Sequence, residues 1–256
     1  MRPLDGFSPS QTRPFRGFSP AAARPYRALV RALGHGLHVE VDGVEHVPAG
    51  RALLVANHAF GWDVAFPMEA ISRATGRDVW ALGEHLWWKV PGLRRIAAAV
   101  GVVDGTRSNA EELLAAEQIV VVLPGGLREA VKPRELRYQL LWGHRYGFID
   151  VAVRAGAPIL PLACVGADEL FDFVGDAYAR GKRWLHTEGL PIPVPSRVLP
   201  IPHRVALRYV IGEPLSTRGV DPDDDAARRR LRLEVEGALH ELIEVELARR
   251  AGLAYP

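Results

Sequence analysis

Residues 119–130, IVVVLPGGLREA, decide the fold. The run 119–123 carries no polar side chain, as a strand does when both of its faces are covered. Pro124 ends the strand, and Gly125 and Gly126 let the backbone turn tightly and come close to a ligand. A helix opening at Leu127-Arg128-Glu129 would aim its first N–H groups, with Arg128, at one spot suited to a phosphate. Upstream, a second apolar strand over 52–56 runs into NHAFGWD (57–63), which sets His58 five residues before Asp63. Together the two segments point to chemistry on a phosphorylated or CoA-bearing substrate.

Outward from this pair, strand patterns alternate with helical ones. Strands are expected over 37–41, 52–56, 79–82, 100–103, 119–123, 159–165 and 205–211, with Asp42-Gly43 as a turn between the first two. Helices are expected over 62–73, 93–99 and 108–116, the last with Ser108 as N-cap and Glu111 at the capping-box position. A further helix over 146–155 is stopped by Gly156. Residues 181–203, rich in Pro and Gly, read as irregular connection. The final helix, 224–250, has acids at its start and arginines at its end, with Leu231, Val235, Leu239 and Leu242 on one face. Such alternation defines a single α/β domain with a largely parallel central sheet flanked by helices. That domain is assigned to residues 25–256.

Residues 1–24 form a separate basic arm. RPLDGFSP at 2–9 returns as RPFRGFSP at 13–20, and a partial copy, RPYR, begins at Arg24. The copies are too short and too few for a solenoid. From Pro25 a helix carries Tyr26, Leu29, Val30 and Leu33 as an apolar stripe, which reads either as an interfacial helix or as a surface helix packed on the core. Residues 1–31 hold six arginines against one aspartate, a local charge of +5. The rest of the chain has 26 basic and 29 acidic residues, within an overall formal charge of +2. A basic arm on a mildly acidic body suits an anionic surface such as a membrane, and equally a solvated tail.

Cys164 is the only cysteine, so no disulfide can form within the chain, which fits a reducing compartment. The longest bilayer candidate, 96–103, is far too short to span, and no signal-peptide apolar region is visible. The expected location is cytoplasmic, peripheral at the inner face of a membrane. There is no Gly-x-Ser-x-Gly elbow, no Walker A sequence and no Gly-x-Gly-x-x-Gly, and the His and Cys residues are too scattered for zinc. Aromatic and basic residues interleave only in the arm, so no nucleic-acid partner is expected.

The His58–Asp63 spacing alone is weak: His35 and Glu40 share it, and by itself His58 reads as an ordinary structural histidine. Trp80, Trp87 and Trp88, beside Val90-Pro91-Gly92-Leu93, fit an acyl groove, a membrane interface or plain core packing. In a regular segment Trp87 and Trp88 cannot both face one core, so one of them is expected to be exposed.

Taken in order, NHAFGWD (57–63), GVVDGTR (101–107), LPGGLRE (123–129) and APILPLACVG (157–166) resemble the four blocks of the glycerolipid (lysophospholipid) acyltransferase family. The Pro-Gly-Gly form of the third block is most similar to the monoacylglycerol/diacylglycerol acyltransferase-like branch. The phosphatidate-forming branch has Glu-Gly-Thr-Arg where this chain has Gly125-Gly126-Leu127-Arg128. VPGLRRIAAAVG, RYGFIDVAVRAGAPILP and the late IGEPL also match the former branch, and the likeness covers roughly 37–215.

This resemblance implies transfer of a fatty acyl group from acyl-CoA or acyl carrier protein to the hydroxyl of a glycerolipid or lysophospholipid. No cofactor is implied beyond that co-substrate, and no metal. His58 would take the hydroxyl proton and Asp63 would orient it, with no covalent enzyme intermediate. Gly125, Gly126, Arg128 and Arg107 would hold phosphate or the oxyanion, Pro161 (with Pro158) would shape the pocket wall, and Glu129 matches the acid of the branch's Pro-Gly-Gly-x-x-Glu pattern. Arg107 reads equally as a surface arginine, and Glu129 as an acid at a helix start. The departure from Glu-Gly-Thr-Arg favours a neutral acceptor such as mono- or diacylglycerol or a long-chain alcohol. A non-catalytic lipid-binding protein and an acyl thioesterase are the alternatives, and the oligomeric state is not legible in the residues.

Overall fold

The apolar runs 52–56, 119–122 and 159–165 form the buried centre of one sheet, and shorter or alternating strands flank them. A computed structural model describes residues 17–59, 64–85, 88, 92–173, 175–185 and 203–253. Its strands are β1 (Glu40–Asp42), β2 (Ala52–Ala56), β3 (Val79–Gly83), β4 (Val102–Asp104), β5 (Ile119–Val122), β6 (Ile159–Val165) and β7 (Arg208–Ile211). They lie in the order β1-β7-β6-β2-β5-β3-β4. Every neighbouring pair is parallel except β6 and β7, which are antiparallel.

Side chains alternate across the sheet with period two. Leu53, Val55, Val120, Ile159 and Ala163 face one layer, with α4 (Arg107–Ala115), α6 (Gly147–Ala155) and α8 (Asp225–Arg250). Leu54, Ala56, Val121, Leu160, Leu162 and Cys164 face the other, with α1 (Pro20–Gly36) and α2 (Ala65–Thr75). The other α-helices among the described residues are α3 (Leu93–Ala99), α5 (Gly126–Ala130) and α7 (Ala177–Leu185). The expected single α/β domain with a largely parallel sheet is therefore the fold found.

The connections fix where a ligand can sit. From β2 the chain passes through α2, on one face, to β3. From the neighbouring β5 it passes through α5 and α6, the latter on the opposite face, to β6. Connections that leave adjacent strands toward opposite faces open a crevice at the carboxyl ends of those strands. Here the two ends are His58 and Pro124-Gly125-Gly126.

Local chemistry moves several boundaries. α1 starts at Pro20, with the Ser19 hydroxyl accepting from the Ala22 N–H at 3.3 Å. Proline is preorganised for the first helical position, where no N–H is required. The helix then runs through Pro25, so residues 20–24 of the basic arm are helical. α4 is capped by Thr106 rather than by Ser108: Thr106 is extended (φ −88°, ψ 151°) and its hydroxyl accepts from the Asn109 N–H at 3.1 Å. α7 occupies the start of the stretch expected to be irregular. The arm repeat over 1–16 and most of the Pro-rich connection, 186–202, lie outside the described residues.

Candidate active site

His58 sits just past β2, and the backbone on both sides of it is held. Asn57 is fully buried and continues the β2–β6 ladder with its side chain: its amide donates to the Cys164 carbonyl at 3.0 Å and accepts from the Cys164 N–H at 2.7 Å. The His58 N–H donates to Glu129 Oε1 at 2.7 Å, and Lys132 Nζ donates to the His58 carbonyl at 2.9 Å. Lys132 is paired in turn with Asp168 at 2.7 Å, both side chains almost wholly buried. The other oxygen of Glu129, Oε2, accepts from the Leu141 N–H at 2.9 Å. Burial pushes the Glu129 carboxyl above its ordinary pKa, against the opposing pull of Lys132 and of the two N–H groups.

Beside His58 opens a cavity of about 370 Å³. Its walls include Leu53, Ala110, Phe148 and Val151, all core residues of the α4–α6 face, together with Leu82, Val122, Leu123 and Leu127. The polar lining is His58, Glu84, His85, Thr106, Arg107 and Arg145. The side chains of His85 and Arg107 are more than half exposed, which puts the charged groups at the mouth and the apolar ones at the floor. A pocket with an apolar floor and a polar rim can hold an amphiphile, its apolar part inside and its polar part at the rim.

The expected residues do not all arrive there. Arg107 lines the mouth, donating to Asp150 at 2.7 Å. Gly126 lines it too, in the left-handed region (φ 54°) that favours glycine. Gly125 is buried behind it. Arg128 is exposed on α5 and is not part of the lining, and Arg145 stands beside Gly126 instead, its guanidinium donating to the Pro124 carbonyl at 2.5 Å. Glu129 is completely buried and holds backbone rather than facing the cavity. Pro161 lies in mid-sheet on β6, opposite Val55 and against Gly212, away from the lining. Asp63 and Trp87 lie outside the described residues. Trp80 and Trp88 are both buried, and the indole of Trp80 donates to Gln118 at 3.0 Å.

Four residues at or behind the mouth were not anticipated: His85, Glu84, Arg145 and Lys132. His85 follows the end of β3 as His58 follows the end of β2, and its Nδ1 is hydrogen-bonded to buried Asp104 at the end of β4. The signal was the strand end itself, since polar residues just past the carboxyl ends of parallel strands converge on one crevice. Lys132 lies just past the end of α5, three residues after Glu129.

A largely parallel α/β sheet carries an imidazole beside an apolar-floored cavity at its carboxyl edge. Residues 38–165 match the model of the Acyltransferase family, and the chain belongs to that family. Two similar proteins are the mouse and human proteins named "DGAT1/2-independent enzyme synthesizing storage lipids". They are 32% and 33% identical, over 72% of this chain and 54% and 55% of their own lengths. An uncharacterized protein of Mycobacterium tuberculosis is 28% identical over 85% of this chain and 64% of its own. The chain thus spans about half the length of the mammalian relatives. Among solved structures, the 1-acyl-sn-glycerophosphate (LPA) acyltransferase PlsC of Thermotoga maritima superposes with a TM-score of 0.52. It is 17% identical, over 86% of this chain and 79% of that one, a likeness of fold.

Proposed function

We propose that this protein transfers a fatty acyl group from acyl-CoA or acyl carrier protein to a lipid hydroxyl, with His58 as general base. The observation that carries this reading is the position of His58, its backbone fixed on both sides, at the mouth of an apolar-floored cavity. The imidazole takes the acceptor's hydroxyl proton as its oxygen attacks the thioester carbonyl. The C–S bond then breaks and the thiolate leaves with the carrier. Asp63, five residues on, orients His58 and stabilises the imidazolium. Arg107 and Arg145 each have guanidinium N–H groups beyond those bound to Asp150 and Pro124, and these serve the carbonyl oxygen as charge develops. The cavity floor takes the acyl chain.

The acceptor is neutral, a mono- or diacylglycerol or a long-chain alcohol. Arg128, which stands where the phosphatidate-forming branch has its motif arginine, is exposed on α5 outside the lining, and this supports an acceptor without phosphate. The relatives named for storage-lipid synthesis favour the same choice. The test is mass spectrometry of products from purified protein, with acyl-CoA and acyl carrier protein donors and mixed mono-, diacyl- and lysophospholipid acceptors in liposomes. A new neutral ester supports the reading. Free fatty acid alone means a thioesterase, and lipid binding without product means a binding protein.

No helix among the described residues is long and apolar enough to cross a membrane. Contact with the bilayer, at its inner face, falls to α1. Leu29 and Leu33, four residues apart on its outer side, and Leu37, just past its end, are 58%, 39% and 44% exposed, with Arg24 and Arg31 exposed nearby. The end of α1 leads into β1, whose start pairs with the start of β7 beside the carboxyl end of β6, the edge on which the cavity opens. Burying a leucine is worth about 1.5–3 kcal/mol. Leu29→Glu with Leu33→Glu is therefore expected to weaken co-sedimentation with anionic liposomes by at least about 100-fold. Turnover of a short-chain acceptor in detergent should stay near wild type. Unchanged sedimentation would remove α1 from the contact.

A further inference from the structure

The turn after β5 is packed against the carboxylate of Glu129. Gly125 has φ −66°, which any residue adopts, so its backbone does not demand glycine. Space does: a Cβ added at 125 would fall on Oε2 and Cβ of Glu129, whose side chain folds back over the turn. Glutamate stands at this position in the Glu-Gly-Thr-Arg form of the block. Here glycine stands there, and the carboxylate comes from four residues later. It is completely buried, with one oxygen on the His58 N–H at 2.7 Å and the other on the Leu141 N–H at 2.9 Å.

We infer that Glu129 is a positioning residue for the main chain of His58 and that Gly125 is glycine to admit it, so the Pro-Gly-Gly-x-x-Glu pattern encodes a relocated backbone clamp rather than a substrate contact. The inference rests on His58 being the base. Glu129 fixes the N–H side of that residue while Lys132, three residues on, fixes its carbonyl at 2.9 Å. Both grips hold main chain, so they set where the imidazole stands without touching its nitrogens. Because the carboxylate sits behind the loop and away from the cavity, its loss should slow the chemical step and leave substrate affinity intact.

The experiment compares Glu129→Ala, Glu129→Gln and the exchange of Glu129→Gly combined with Gly125→Glu or Gly125→Asp. Two readouts are taken on each full-length protein: kcat and KM for ester formation, and the exchange rate of the His58 amide, followed by NMR with 15N-histidine. Glu129→Ala is expected to lower kcat about 100-fold, the usual cost of a displacement near 1 Å, with KM within about twofold. His58 amide exchange should speed up by a similar factor. Glu129→Gln, which keeps the volume and one acceptor, should fall between wild type and Glu129→Ala. One of the exchanged proteins should recover at least about tenfold of the lost kcat and the protection of the His58 amide.

A folded Glu129→Ala with wild-type kcat and unchanged amide exchange would overturn the inference. So would exchanged proteins that fold but recover neither readout. If wild type itself makes no ester with any donor, the acyl-transfer reading fails. Amide exchange then still decides whether Glu129 holds His58 and whether position 125 can replace it.

Discussion

His58→Ala is expected to lower ester formation about 10²–10⁴-fold, while the melting temperature stays within a few degrees of wild type. The two halves of this expectation have separate causes. Catalysis needs the imidazole, which alanine lacks. The loop is held through the main-chain N–H and carbonyl of residue 58, which alanine keeps, so the bond to Glu129 and the bond from Lys132 survive. His58→Pro would instead remove the N–H and leave an oxygen of buried Glu129 without that donor, costing stability as well as activity. The check is turnover beside thermal melting for both variants. A His58→Ala protein that keeps wild-type turnover with an intact fold would take the general base away from His58. Stability lost to the same degree in both variants would mean that the imidazole, not the peptide, anchors the loop.

Legibility from sequence tracked how local the cause was. β6 spans the expected residues because an unbroken apolar run bounded by Pro158 and Gly166 admits one solution at the centre of a parallel sheet. α8 begins after Asp224, which accepts from the N–H groups of Ala226 and Ala227, as its cluster of early acids announced. Errors came where two local signals overlapped. Ser108 and Thr106 both qualify as caps, and only the extended backbone at 106 chooses between them. Ser19-Pro20 closes a copy of the arm repeat, and serine before proline is also a helix start.

The site divides the same way. His58 and Gly126 were visible because strand ends and glycines are sequential features. The environment of Glu129 was not: an acid in the first turn of a short helix is ordinarily solvated, and its complete burial depends on partners 71 and 12 residues away. Arg128 and Arg145 show the converse. The arginine adjacent in sequence points outward, while one 21 residues beyond Pro124 returns to bond its carbonyl.

Lys132→Met should be the most destabilising single change around the site. Lys132 and Asp168 form a salt bridge with almost no solvent on either side chain. Removing one partner of such a pair strands a buried charge and costs about 3–5 kcal/mol. For a chain of this size that is a fall of roughly 6–20 °C in melting temperature. The deficit should depend on pH. Lys132 pulls the Glu129 pKa down, so its removal raises further a carboxyl that burial already holds above its ordinary value. A carboxyl raised in the folded state binds its proton more tightly there than in the unfolded chain. The penalty for ionising it is thus absent at low pH and accrues as pH climbs above roughly 4, the unfolded value. Lys132→Met should therefore lie closer to wild type in mild acid than at neutrality, and a deficit that grew on acidification would contradict this account. Adding Asp168→Asn removes the stranded charge and should return much of the lost stability, since pairs replaced on both sides cost far less than pairs broken on one. It cannot return the donor to the His58 carbonyl. The double variant should melt well above Lys132→Met and still turn over slowly, which separates what the ion pair does for the fold from what Lys132 does for His58.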